Sequence, residues 1–204
     1  MNNELILYNG PTSPFGRKCK VVALILNVEH KEEKINIYKS SFLDEFNPLR
    51  QVPTLLAKGR TITDSDNICL YFDNLSNKRS LYPKDRYWDC MTVISVTNGI
   101  MENAVNRYIE MTAIEEKEQR KKAIERYEKK ILRSIDWIEN KFDEIINDEI
   151  TMDQIAVACA LDYTSFRFTK DWDIKNPKLK DWLEKISEND FMKSTRPGVS
   201  FKYE

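Results

Sequence analysis

The sequence predicts an α/β domain followed by an all-helical domain. Strand-like runs recur as far as Thr63 and then cease. Helical patterns alternate with them in the order β-α-β, an irregular segment, then β-β-α. Beyond about residue 87 the strand signals vanish and helical patterns follow one another. A βαβ unit followed by a hairpin and a helix makes one mixed sheet with helices packed on it. The division this implies is residues 1–76 for the α/β domain, 77–86 for a connector and 87–204 for the helical domain. The connector, Asn77 to Arg86 with Pro83 inside it, is polar, as suits a domain boundary.

Leu5-Ile6-Leu7-Tyr8 reads as a short apolar strand, closed by the turn residues Asn9-Gly10-Pro11. Ser13 before Pro14 is a helix start: a hydroxyl that can cap, then proline in the first turn. That helix runs on through Val21, Val22, Ile25 and Leu26. Lys34 to Tyr38 alternates like a second strand. Asn47-Pro48 ends a short helical or irregular piece. Val52 to Ala57 reads as a strand with a proline near its start, Gly59 as a turn, and Thr61 to Thr63 as the partner strand. Asp64-Ser65-Asp66 caps a helix carrying Ile68, Tyr71, Phe72 and Leu75.

In the second domain, residues about 87–111 and about 115–147 predict two long helices. The second shows Ile124, Tyr127, Ile131, Ile135, Ile138, Phe142 and Ile145 at helical spacing. Its other face carries Glu116/Arg120, Glu118/Lys122 and Glu125/Lys129, each acid four residues before its base. Such pairs add about 0.2–0.5 kcal/mol each and mark a solvated face. Thr151-Met152-Asp153-Gln154 has the form of a capping box, with Ile150 and Ile155 at staple positions. The helix that follows, to Phe166, is apolar nearly all round, which predicts the buried centre of the helical domain. Pro177 opens a last amphipathic helix through Leu179, Trp182, Leu183 and Ile186.

Composition excludes several function classes. Lys and Arg number 32 against 33 Asp and Glu, so no strong field draws in nucleic acid or an anionic membrane. No apolar run approaches the roughly 18 residues of a membrane span. Met1-Asn2-Asn3-Glu4 lacks the basic start of a signal peptide, so a cytoplasmic location is the expectation. Cys19, Cys69, Cys90 and Cys159 are scattered, without a C-x-x-C pair or metal spacing, and read as small hydrophobes. The only histidine is His30, which removes a Ser-His-Asp relay or a multi-histidine metal site by inventory. Chemistry must then run on hydroxyls, carboxylates, backbone amides or a bound co-substrate.

Three short segments converge if the first domain is built in this way: Thr12-Ser13-Pro14-Phe15, Gln51-Val52-Pro53 and Asp64-Ser65. With their surroundings they resemble the glutathione S-transferase family. Leu7 through Lys18 resembles the first strand and helix of its bacterial members. Asn47 through Leu55 resembles their proline loop, and Thr63-Asp64-Ser65-Asp66-Asn67-Ile68 their Glu/Gln-Ser-x-x-Ile element. Thr151 to Tyr163 is similar to their capped helical signature, and Asn176 to Pro197 to their usual ending. One position departs: the signature normally has Asp where Gln154 stands, although glutamine can also close the box. The resemblance implies a thioredoxin-like first domain, an all-α second domain, and glutathione as co-substrate with no tightly bound cofactor and no metal. It further implies a small apolar electrophile as second substrate. It also implies a homodimer whose face uses the helices starting near Ser65 and residue 87.

The resemblance assigns roles residue by residue. Glutathione's sulfur would lie at the first helix N-terminus, where free N–H groups and the helix dipole favour an anion. Ser13 would donate a hydrogen bond to the thiolate; Thr12 and then Tyr8 are the alternatives. Lowering a thiol pKa from about 8.5 by two units needs about 2.7 kcal/mol. One hydrogen bond to a charged group supplies about 1.5–3 kcal/mol, and the helix end about 0.3–1 more. With Ser rather than Cys at position 13, thiol exchange through a protein mixed disulfide is disfavoured. Val52, before a cis Pro53, would pair through its backbone with the cysteinyl unit of glutathione. Gln51 would reach the glycine carboxylate; many relatives carry lysine there, which implies weaker binding here. Ser65 would hold the γ-glutamyl carboxylate and Asp64 the γ-glutamyl ammonium. Phe15, Met101, Val105 and Tyr108 would line the second-substrate pocket. Rival readings are a non-catalytic regulatory protein on the same fold, similar to the polymerase-associated starvation proteins, or a glutathione-dependent peroxidase, isomerase or dehalogenase.

Overall fold

The structure, a computed structural model, describes residues 4–112, 118–168 and 171–196. They form two compact units. One comprises the residues up to Ser80 together with those from Asp190 onward; the other is Leu81–Asn189.

The first unit is built on a four-stranded mixed sheet. Strand β1 (Leu5–Asn9) lies between β2 (Lys31–Lys34), parallel to it, and β3 (Thr54–Ala57), antiparallel. Strand β4 (Arg60–Thr63) pairs antiparallel with β3, so the order is β2-β1-β3-β4. The central strands are Leu-Ile-Leu-Tyr-Asn and Thr-Leu-Leu-Ala. The edges are Lys-Glu-Glu-Lys and Arg-Thr-Ile-Thr, a polar composition that discourages pairing with another chain. The second strand is thus earlier than the alternation of Lys34 to Tyr38 suggests. Alternation reports a half-buried face, whereas this edge strand is set by its backbone register, Ile6 opposite Lys31. Its Glu32 accepts from Asn9 Nδ2 at 2.9 Å and meets Lys20 Nζ at 2.9 Å.

Helices α1 (Pro14–Leu26) and α2 (Ser65–Leu75) follow β1 and β4. Helix α1 stops at Asn27, which adopts the left-handed conformation (φ 54°), while Val28 N–H reaches back to the Ala23 carbonyl at 2.9 Å. Leu7, Val21, Val22, Leu55, Ile68 and Phe72 are fully buried. A short 3-10 helix, Ser41–Glu45, occupies the irregular stretch before the proline loop.

The second unit contains α3 (Tyr87–Thr112), α4 (Glu118–Asn140), α5 (Phe142–Ile145), α6 (Met152–Arg167), α7 (Trp172–Lys175) and α8 (Pro177–Ser187). Helix α3 packs on α4 and α6. Twelve of the sixteen residues of α6 are buried, as its apolar composition predicts. The long helix expected over about 115–147 is divided. Residues 113–117 lie outside the described residues, and α4 ends at Asn140, before the separate turn of α5. Ile138, Phe142 and Ile145 keep helical spacing across the break, so periodicity could not show it. Of the expected pairs, Glu116 also lies outside the described residues; Arg120 meets Glu110 of α3 at 2.9 Å.

The capping box does not form. Thr151 makes no side-chain bond to a backbone amide; its hydroxyl donates to Asp153 Oδ1 at 2.6 Å. Gln154 Nε2 donates to Thr151 Oγ1 at 3.2 Å and to the Glu149 carbonyl at 2.8 Å. Asp153, fully buried, takes over the helix end. It accepts the Gln154 N–H at 3.1 Å and pairs with Arg86 Nη1 at 2.6 Å. A carboxylate with a cation to compensate it is the stronger acceptor, and Arg86 lies too far off in sequence for a local motif to include.

The last helix, α9 (Asp190–Lys193), groups with the sheet unit rather than with residues 87–189. Buried Arg17 of α1 makes the link, donating to Thr195 Oγ1 and to the Met192 carbonyl, both at 3.3 Å.

Candidate functional site

The start of α1 lies on the end of β1. Ser13 is the N-cap, extended at φ −68° and ψ 121°, and its Oγ accepts the Gly16 N–H at 3.1 Å. The hydroxyl proton is not used in that bond. Its own amide donates to the Gly10 carbonyl at 3.1 Å, closing the turn. Ser13, Thr12 and Phe15 are half-buried, so each presents some surface. Tyr8 is placed differently. Its ring packs edge-on against Phe42 at 5.3 Å and stacks at 6.3 Å on Phe46, beside the 3-10 segment.

The proline loop comes up beside this turn. A Cβ on Gly10 would stand 3.2 Å from Val52 Cγ2 and 3.6 Å from Ser13 Cβ, so Gly10 lets the two segments close together. The Val52–Pro53 bond is cis. Buried Asn47 holds the loop: its Nδ2 donates to the Gln51 carbonyl at 3.1 Å and to Thr54 Oγ1 at 3.0 Å, and its Oδ1 accepts from Leu49. Among the described residues, neither the amide nor the carbonyl of Val52 has a hydrogen-bond partner. The Gln51 side chain is exposed and equally uncommitted.

The third segment is the start of α2. Asp64 takes φ 71° and ψ 134°, uncommon for a residue with a side chain. Its Oδ1 accepts from Asp66 N–H at 2.8 Å and Asn67 N–H at 3.4 Å. The Ser65 hydroxyl has no partner among the described residues. Beneath it lies a polar group that sequence reading missed. Lys18, with no exposed surface, pairs with Asp66 of α2. Burial pushes the Lys18 ammonium down, but Cys69 and Asp66 more than offset this and leave it above its ordinary value. Cys19 Sγ lies 3.8 Å from Cys69 Sγ and 3.6 Å from the Ser65 carbonyl. Lys18 shares a helix stripe with Val22 and Leu26, four and eight residues on. That spacing was the available signal of burial.

All four cysteines are free and buried. Among the described residues no cluster of His, Cys, Asp or Glu is placed to hold a metal ion, and no helix is long and apolar enough to cross a membrane. In the helical unit, Met101 is fully buried and belongs to the core, leaving no surface for a ligand. Val105 is half-buried, and Tyr108 reaches the surface at 38% exposure.

The four-stranded mixed sheet followed by a helical unit is the fold of glutathione transferase-type proteins. Residues 12–75 match the family model "Glutathione S-transferase, N-terminal domain" and residues 121–185 match "Glutathione S-transferase, C-terminal domain". The chain belongs to the glutathione S-transferase family. It is 25% identical over 193 residues to the uncharacterized GST-like protein YibF of Escherichia coli K12, covering 91% of this chain and 95% of that one. Among solved structures it is similar to a glutathione transferase family member from Pseudomonas fluorescens Pf-5 with bound glutathione. The TM-score is 0.88 at 27% identity, over 96% of this chain and all of that one. The same fold occurs in a glutathione S-transferase from Methylobacillus flagellatus KT, with a TM-score of 0.87 at 23% identity, over 96% of this chain and all of that one.

Proposed function

We propose that the chain binds glutathione on its sheet unit, stabilises the thiolate through Ser13, and conjugates it to a small electrophile. The observation that carries this is the state of the Ser13 hydroxyl. It accepts from Gly16 and keeps its own proton to donate, at a helix end where N–H groups favour an anion. The uncommitted backbone of Val52 suits strand-like pairing with the peptide of glutathione. Ser65, at the α2 N-terminus, suits the γ-glutamyl carboxylate, Asp64 the γ-glutamyl ammonium, and Gln51 the glycine carboxylate. Pf-5 glutathione transferase, with glutathione bound, supports the ligand. On the helical unit, Val105 and Tyr108 remain the proposed lining of the second-substrate pocket. Thiolate formation and proximity then supply the rate.

Calorimetric titration with glutathione tests the reading. Ligand at about 100 times its dissociation constant should stabilise the fold by about 2.7 kcal/mol. No heat and no melting shift at about 10 mM glutathione would remove the proposal. Binding without turnover on any electrophile would favour a regulatory role on the same fold. We further propose a homodimer, supported by the exposed apolar Leu70 and Leu75 of α2 and Trp88 of α3, and a cytoplasmic location. Light scattering that returns the mass of one chain at micromolar concentration would refute the dimer.

A further inference from the structure

The helical unit holds an arginine that no carboxylate pairs with among the described residues. Arg167 closes α6. Its backbone carbonyl accepts from Arg107 Nη1 at 3.1 Å. Arg107 has a carboxylate of its own, Glu128 Oε1 at 2.9 Å, and lies over the Phe168 ring with Cζ 4.7 Å from the centroid. The backbone beneath Arg167 is therefore fixed by a buried ion pair. Among the described residues the Arg167 guanidinium has no such partner. Its Cζ lies 4.0 Å from the centroid of Tyr108, 4.3 Å from that of Phe166 and 6.0 Å from that of Tyr163. Its Nε is buried and makes no hydrogen bond, and no carboxylate pairs with it among the described residues. Glu128 and Glu110 are engaged by Arg107 and Arg120.

Aromatic rings attract a cation through their faces. They offer no lone pair to its N–H edge. A guanidinium carries five donors in a rigid planar fork that fits a carboxylate in two parallel bonds. A buried donor left without an acceptor is costly, so an orphaned one calls for an explanation, and an acceptor carried by a bound molecule is one. Tyr108 is exposed, and Arg167 and Phe166 are half-buried, so the cluster reaches the surface. One fork among aromatic rings suits the single charge of an organic acid. A phosphate dianion would call for further donors.

We infer that Arg167, framed by Tyr108 and Phe166, recognises a carboxylate, so that the second substrate is an organic acid rather than a purely apolar electrophile. The inference rests on the reading that Tyr108 lines the second-substrate pocket, and it gives that pocket a charge preference.

The full chain should be titrated with phenylacetate and phenylbutyrate, and with their neutral amides, while the NMR signal of the Arg167 Nε–H is followed. The acids should move that signal and bind about tenfold or more tighter than the amides. Arg167→Gln should abolish the preference, and Arg167→Lys should keep part of it as a point charge. Equal binding of acid and amide, an unmoved Nε–H signal, or no binding at all would overturn the inference. The wild-type signal decides even if a variant does not fold. A parallel glutathione titration separates the two proposals. Glutathione binding without acid preference sinks only this one. Acid preference without glutathione binding sinks only the transferase reading.

Discussion

A Cβ on residue 16 would stand 1.6 Å from Asn9 Oδ1, so α1 can start against the end of β1 only because Gly16 has no side chain. Asn9 cannot easily yield: it is buried, its Nδ2 is bound to Glu32, and its backbone carbonyl accepts the Ile35 amide. Gly16→Ala should therefore cost about 1–3 kcal/mol through overpacking. Because the clash is with one side chain, Asn9→Ala in the same chain should recover part of that loss. Urea unfolding of the two single variants and the double one measures the coupling. Strict additivity would mean that the two residues do not compete for the same space.

Ser13→Ala should raise the pKa of bound glutathione by about one to two units, since one charge-assisted hydrogen bond is lost. Turnover near neutral pH should fall by a similar factor, while affinity changes little. Loss of the bond to Gly16 adds a stability cost of about 0.5–2 kcal/mol. The ultraviolet absorbance of the bound thiolate against pH gives the first quantity directly. If Thr12→Ala moves the titration and Ser13→Ala does not, the donor is Thr12. Tyr8→Phe should have no effect on it, because that ring is packed between Phe42 and Phe46.

The two halves of the Lys18–Asp66 pair should not be equivalent. The lysine side chain has 0% exposure and the aspartate 27%. Asp66→Asn takes the carboxylate from a fully buried ammonium and should cost about 3–5 kcal/mol. Lys18→Met leaves a carboxylate that still reaches water, and should cost about 1–3 kcal/mol. Denaturant midpoints in the reverse order would show that the ammonium has adequate compensation without Asp66.

Alkaline pH should weaken the fold before acid does. Burial, then the charge of Asp153, pushes the Cys90 thiol up to about 12 from an ordinary 9.0. Burial and the neighbouring Cys69 raise Cys19 well above the same value. Lys18 is raised above 10.5. In each case the native state holds its proton where the unfolded chain has lost it, so the stabilisation is complete below the unfolded value and fades above it. Stability should decline from about pH 9 upward. On the acid side, burial opposes ionisation of Glu32. Hydrogen bonds from Lys20 and Asn9 outweigh it and hold the carboxyl below its ordinary 4.5. That contribution is present above 4.5 and is lost as pH falls through the lowered value. Thermal melts from pH 4 to 11, with buffers of matched ionic strength, check both limbs. In the native state at about pH 8 a thiol reagent should meet essentially no reactive cysteine, since the nucleophile is the thiolate.

The elements that the sequence determined by itself are those whose cause is local. Ser13-Pro14 marks the start of α1 because capping and the proline ring act within one turn. Asp64 marks the start of α2 for the same reason, and the apolar run from Ile155 marks the buried α6. These short-range signals, in their order, were enough for the plan of a mixed sheet followed by helices, and Gly10 is where the start of α1 and the proline loop adjoin. Tertiary structure decided whatever depended on a distant partner. The edge strand at Lys31–Lys34 exists because β1 offers it a register. Asp153 displaced the capping box because Arg86, 67 residues away in sequence, compensates its charge. Lys18 is buried where Asp66 meets it from α2, and Met101 lies in the core on α3, which packs on α4 and α6. Among the described residues Arg167 is left without a carboxylate, because Glu128 is bound to Arg107. Periodicity and capping rules are blind to such pairs, because a buried charge is decided by what faces it in space.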